Sequence, residues 1–231
     1  MTYNEDLTWS GKIRQFTEIK KKIRKILDVI GENRDDARAL GIIHIRQVLN
    51  TLIMPTLFIH WNCEERGCKE LVKQLFTFKE DRDLILFCSD FNPNSKNAAI
   101  LEIQFSIENC MSSILEFINE DNVNISQGYW SKSKRLLELV ALENLDYKHR
   151  VLNILAKMRN SSHRCGIYTQ EFFSVKIGEE TYSFEKNKRV EKANWEHIFN
   201  VLNAVLDILE EIFDSEKIKS VTLIPSNHFV E

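Results

Sequence analysis

With 231 residues, 43% of them hydrophobic and 28% charged, the chain has an ordinary globular composition and can bury a core without disulfides or metals. A formal charge of −3 excludes a whole-molecule pull toward nucleic acid or an anionic membrane, and 7 Gly with 3 Pro point to few, long elements, hence helices. Five irregularly spaced cysteines behind a polar, acidic N-terminus fit reduced thiols in a cytoplasmic protein, and the most apolar stretch, Leu52 to Ile59, falls far short of the roughly 20 residues a membrane helix needs.

In chain order, the first helix is predicted over 12–30, with Ile13, Phe16, Ile19, Ile23, Ile26, Leu27 and Ile30 on one stripe and Gly31 as its stop. A long apolar helix follows over 35–60, kinked near Pro55. Residues 64–77 read as a short amphipathic helix and 80–95 as a loop around the apolar run Leu84 to Cys88. The next helix, 96–119, carries Ile100, Ile103, Ile107, Met111, Ile114 and Ile118. A polar connection, 121–128, leads to a helix over 131–143, with Ser131 as a candidate cap. Another follows over 147–162, burying Tyr147, Val151, Ile154, Leu155 and Met158.

The period then changes from helical to alternating. Phe173, Val175 and Ile177 alternate with polar residues, as do Tyr182 and Phe184, so a β-hairpin is expected at about 171–185. A two-residue type II′ turn at Gly178-Glu179 would set Val175 against Tyr182 and Phe173 against Phe184 on one face. The last helix has the strongest periodicity, from Trp195 to Phe213. Val201, Ala204 and Ile208 widen its stripe, so the helix is either central or meets a second subunit. With no repeat, linker or break in composition, residues 1–231 read as one mainly α domain: a helical bundle with a small hairpin inserted before the last long helix.

Charge is unevenly distributed. Residues 12–25 hold seven Lys/Arg against Glu18, residues 131–164 hold eight, and 191–216 hold seven acids against Lys192. Each run has a plain reading as a solvated helix face, while the second invites contact with phosphates. Lys148, Arg150, Lys157, Arg164, Lys188 and Arg189 are the candidate RNA contacts, with Lys132, Lys134, Arg135 and Lys186 near them in sequence. His60-x2-Cys63-x4-Cys68 brings three possible zinc ligands together without a standard spacing or a fourth ligand, so no metal or other cofactor is expected. Gly-rich phosphate loops, zinc-protease helices and Gly-x-Ser-x-Gly elbows are missing from the sequence.

One segment carries chemistry. In Arg159-Asn160-Ser161-Ser162-His163, a helix that persists to 163 places the guanidinium and the imidazole one turn apart on one face, with Gly166 suited to end it. Imidazole is the usual proton shuttle near neutral pH, and a fixed guanidinium can hold a phosphate and oppose charge on its oxygens. The pair suits RNA cleavage in which the ribose 2′-OH attacks its own phosphate. By spacing alone the signal is weak, because Arg-x-x-x-His arises by chance in many helices.

The run from Arg159-Asn160 through His163 and Gly166, followed by a Phe/Tyr-bearing hairpin, Trp195 and a final amphipathic helix, resembles a branch of uncharacterised bacterial proteins of the HEPN superfamily. The likeness covers roughly residues 96–214. It implies a homodimeric, metal-independent endoribonuclease of the kind found in toxin or anti-phage defence systems, with RNA as substrate and an antitoxin or other regulatory protein as a further partner. His163 would then be the acid/base, Arg159 the phosphate-binding cation and Asn160 a positioning group. Three residues separate Arg159 from His163 where active members have four to six, which leaves a second reading open: a non-catalytic HEPN-like dimer that binds RNA or protein. A third is a structural dimer in which Arg159 and His163 make an internal helix-end contact.

Overall fold

A computed structural model of the protein describes residues 9–60, 69–118 and 128–228. Its elements are α1 (Trp9–Ile30), α2 (Ala37–Val48), a π-helical turn (Leu49–Ile53), α3 (Met54–His60), α4 (Lys69–Leu75), α5 (Asp81–Ile118), α6 (Tyr129–Leu139), α7 (Leu145–Ser162), β1 (Phe173–Ile177), β2 (Glu180–Phe184), α8 (Trp195–Asp214) and α9 (Glu216–Lys219). The class is the expected one: mainly α, with a two-stranded antiparallel hairpin ahead of the last long helix.

α1 ends where Gly31 takes φ +84 and donates its N–H to Leu27 O at 2.8 Å, a left-handed residue satisfying a terminal carbonyl. Its stripe is buried from Phe16 to Leu27, whereas Ile13, assigned to that stripe by spacing, is 45% exposed. Near Pro55, where a kink is expected, the helical path carries a π turn. Proline lacks the N–H and crowds the carbonyl four residues back, and a π turn just before α3 widens the helix at that point.

The expected loop over 80–95 is a correction. α5 is one helix of 38 residues that runs through Pro93. Asp83 starts it by accepting the N–H groups of Lys79 and Glu80, both at 3.0 Å. Leu84 faces inward, Phe87 and Phe91 stack with each other, and Phe87 also packs against Phe76 and Phe78. Ile85 and Leu86 stay exposed, so the apolar run reflects no buried strand. Next to the proline, Trp195 Nε1 donates to Asn92 Oδ1 at 2.7 Å, a tertiary tie that local sequence does not reveal.

Two smaller corrections concern the middle of the chain. α6 is capped by Gly128 rather than Ser131, which lies inside its first turn. The terminus is anchored by Tyr129, whose hydroxyl donates to Leu152 O at 2.9 Å. α7 begins after a left-handed Asn144 (φ 55), and Tyr147 is 43% exposed, not buried. The reason is that α7 is central: α5, α6, α8 and β1 all pack on it, and Val151 through Ala156 are buried without interruption. An all-round buried helix shows no clean stripe from which to choose its inward face.

The hairpin register is as expected, with Phe173 opposite Phe184 and Val175 opposite Tyr182. Positive φ falls at Gly178 and not at Glu179, the pattern of a type II′ turn. The inward face, with Phe173, Val175, Tyr182 and Phe184 buried, is covered by α7 and α8.

α8 starts at Asn194, whose side chain accepts the His197 N–H at 3.0 Å. Of the two options for its wide stripe, the structure takes the central one. Val201 and Ile208 are buried within the chain, and α1 packs along α8. Ala204 between them is partly buried against the same core, so most of the widened stripe is covered by the chain itself. The basic run of α1 meets the acidic run of α8 through Lys22–Asp207 at 2.6 Å and Lys25–Glu210 at 2.7 Å, so these charges face each other rather than solvent alone. After α9 the tail returns to α2, where Ala37 N–H donates to Ile224 O at 2.8 Å. Arg38, 4% exposed, grips Asp36 and donates to Ile218 O and Val221 O. Among the described residues no helix is long and apolar enough to cross a membrane.

Candidate functional site

The site lies where α7 stops. Ser161 and Ser162 donate their hydroxyls back to Lys157 O (2.8 Å) and Arg159 O (2.7 Å), which tightens the last turn. Cys165 (φ 55) and Gly166 (φ 84) then take left-handed conformations in succession, and Gly166 N–H returns to Ser161 O at 2.9 Å. The strand-like segment that follows is tied to the exit of the hairpin: Tyr168 N–H donates to Lys188 O at 2.9 Å and Val190 N–H to Gly166 O at 2.9 Å. The helix end is thus held on both sides by backbone bonds, which fixes the ground on which its side chains stand.

His163 caps α7 and keeps helical backbone angles (φ −63, ψ −11), so the one-turn relation to Arg159 is kept. Its side chain is exposed, and its ring makes no hydrogen bond within the described residues. Arg159 is half-buried. Its Nε and Nη2 both donate to Asn160 Oδ1, at 3.2 and 2.9 Å, so Asn160 positions the guanidinium. An open depression of about 240 Å³ adjoins the helix end, with Asn160, His163, Arg164, Tyr168, Thr169 and Gln170 in its walls. Arg159 is not one of its lining residues. The structure therefore brings His163, Asn160 and Arg164 to one cavity and leaves Arg159 behind Asn160.

The other candidate RNA contacts divide by their partners. Lys148 is 8% exposed and paired with Glu211, Arg150 bonds Asp146 at 2.9 Å and Ser174 O at 3.2 Å, and Lys188 bonds Glu185 at 2.5 Å. Neighbouring Lys132 and Lys186 meet Glu108 and Glu171, at 3.1 and 3.0 Å. Much of the basic run is thus neutralised inside the fold. Arg164 and Arg189 are exposed and form no ion pair within the described residues, and Arg189 lies across Gly166.

Lys157 differs from all of these. Its ammonium donates to Tyr168 Oη at 3.0 Å and Gln170 Oε1 at 3.2 Å. It also stands over the rings of Phe173, Tyr168 and Trp130, at 4.6, 5.3 and 5.4 Å from their centroids. Burial lowers its pKa from the usual lysine value, since taking an ammonium out of water disfavours the charged form. Trp130 in turn packs edge-on against His149, whose Nε2 lies 2.9 Å from Trp130 O. Burial lowers the His149 pKa as well. Nothing in the sequence pointed to Trp130, Tyr168 or Gln170. Trp130 lies on α6 and Tyr168 and Gln170 on the segment between α7 and β1, and only their packing onto α7 makes them neighbours.

No group of three or more metal-ligating side chains occurs among the described residues. Of the expected His60, Cys63 and Cys68 cluster, His60 ends α3 and both cysteines lie outside the described residues. Comparison with family models, curated proteins and solved structures finds no match, so the resemblance of the α7 segment rests on its own residues.

Proposed function

We propose that the protein is a metal-independent endoribonuclease of the HEPN type, with His163 as the proton-transferring group. What carries this reading is an accessible imidazole at a braced helix end, on the wall of a polar depression that also holds Arg164 and Asn160. In the reaction, His163 takes the proton of a ribose 2′-OH as that oxygen attacks the adjacent phosphorus. The bond to the 5′-oxygen breaks, and that oxygen leaves with a proton. The products are a 2′,3′-cyclic phosphate and a 5′-hydroxyl. A guanidinium opposes the charge that gathers on the non-bridging oxygens, a contribution of about 10²–10³ in rate when such a group is removed elsewhere. The second acid/base would come from a second copy, as the family resemblance implies.

A binding role without cleavage is the second reading. It is favoured by the Arg159 fork, which is already occupied by Asn160 and does not line the depression. Incubation with mixed RNA separates the two. Cleavage is expected to persist in excess EDTA, to spare DNA, which has no 2′-OH, and to vanish in His163→Ala and Arg159→Ala while the thermal unfolding curve stays the same. Cutting that survives His163→Ala refutes the mechanism, and RNA bound but never cut selects the binding role. Light scattering then asks whether the active species is the dimer that a composite cleft needs.

A further inference from the structure

Lys157 carries a charge that no carboxylate of the described residues balances. The withdrawn lysines Lys22, Lys73, Lys132 and Lys148 each meet a carboxylate: Asp207, Asp81, Glu108 and Glu211. Lys157 meets a phenol, an amide oxygen and three aromatic faces, and no carboxylate lies within ion-pair reach among the described residues. A half-buried cation with only neutral partners has unused capacity for an anion. Its amide and phenol partners, Gln170 and Tyr168, are walls of the depression that holds His163. On its other side stands Trp130, 46% exposed although three polar or aromatic groups hold it in place. An exposed indole and an ammonium that meets only neutral partners are components with which proteins hold unpaired nucleotides, base on ring and phosphate on cation.

We propose that Trp130, Lys157 and the Tyr168–Gln170 wall form a nucleotide subsite beside His163, in which an unpaired base stacks on Trp130 and its phosphate meets the Lys157 ammonium. The inference rests on the RNA reading above and narrows it to strands whose bases are free to stack. A base paired in a duplex has its faces covered by its neighbours and cannot use the indole. The subsite would place the next phosphate along the strand toward the depression, where His163 and Arg164 stand.

The test uses a fluorescein-labelled RNA strand, free or annealed to its complement, titrated into His163→Ala protein so that the strand stays intact. Adding Trp130→Ala is expected to weaken binding of the free strand by about 5- to 150-fold, to leave the duplex unchanged, and to be largely rescued by Trp130→Phe. Adding Lys157→Met should weaken binding and lower the slope of log affinity against log salt by about 0.7, the share of one phosphate on a single strand. Melting curves guard against misfolding, and if Trp130→Ala is unstable, Trp130→Phe and Lys157→Met carry the comparison. Free-strand affinity unaffected by Trp130→Ala, or an equal loss on strand and duplex, overturns the subsite and leaves the RNA reading standing. Failure of the His163→Ala protein to bind either probe overturns the RNA reading and the subsite with it.

Discussion

Replacing Arg38 by Met should be the most destabilising single change at the closure of the fold. The guanidinium is 4% exposed and bonds Asp36 through Nε at 3.0 and 3.2 Å and through Nη2 at 2.6 Å. It also donates to Ile218 O at 3.1 Å and Val221 O at 2.9 Å, the carbonyls that bring the chain back from α9 to α2. Methionine fills similar space but leaves the Asp36 carboxylate, itself 2% exposed, with only the backbone N–H of residue 38, and takes a donor away from Val221 O and from Ile218 O, the latter keeping the Val221 N–H at 3.0 Å. Breaking one side of a buried pair costs roughly 3–5 kcal/mol, a large part of a total stability of about 5–15 kcal/mol. In a chain of this length that corresponds to a fall in Tm of roughly 6–20 °C. Circular dichroism at 222 nm during heating measures it, with limited trypsin digestion beside it to detect early release at Lys217 and Lys219. The double variant Asp36→Asn/Arg38→Met should be less destabilised than the sum of the singles, because the stranded charge is gone. A fall in Tm under 3 °C for Arg38→Met would refute the reasoning, and so would strict additivity in the cycle.

Gly41→Ala should cost about 1–3 kcal/mol, since the added Cβ would sit 2.9 Å from Cys110 Cβ where α2 and α5 touch, and a lower urea midpoint at unchanged m-value would register it. Acid should weaken the fold: the His149 pKa is lowered in the folded state, so the unfolded chain binds the extra proton first. Stability is then full above the unfolded value of 6.5 and is lost as pH falls through it toward the folded pKa; His149→Asn should flatten part of that slope in urea titrations between pH 7 and 5. Thiol labelling mapped by peptide should mark exposed Cys165 in the native protein and reach Cys110 only on unfolding, since burial pushes the Cys110 thiol up to about 12.

The helices with one buried face, the hairpin and the order of elements were determined by the sequence, because each rests on contacts a few residues apart. α1 and α8 announce themselves by apolar residues every third or fourth position, and β1 and β2 by alternation with Gly178 at the turn. The same local logic put Arg159 and His163 on one face of α7 and ended that helix near Gly166. It misled at α5, where Pro93 and a polar, mixed stretch look like a loop, and at α7, where burial on every side erases the stripe that would have shown Tyr147 facing out. Tertiary structure alone decided which charges are spent. Lys22 meets Asp207 and Lys148 meets Glu211 across α8, partners that no spacing rule connects. It also decided that most of the wide stripe of α8 is covered by its own chain, that Asn160 holds Arg159 away from the depression, and that Lys157 stands among Trp130, Tyr168 and Phe173. Those residues lie on α6, α7, the segment beyond it and β1. Their meeting is fixed by how apolar faces close around a shared core, a non-local outcome that leaves no mark in the order of the residues themselves.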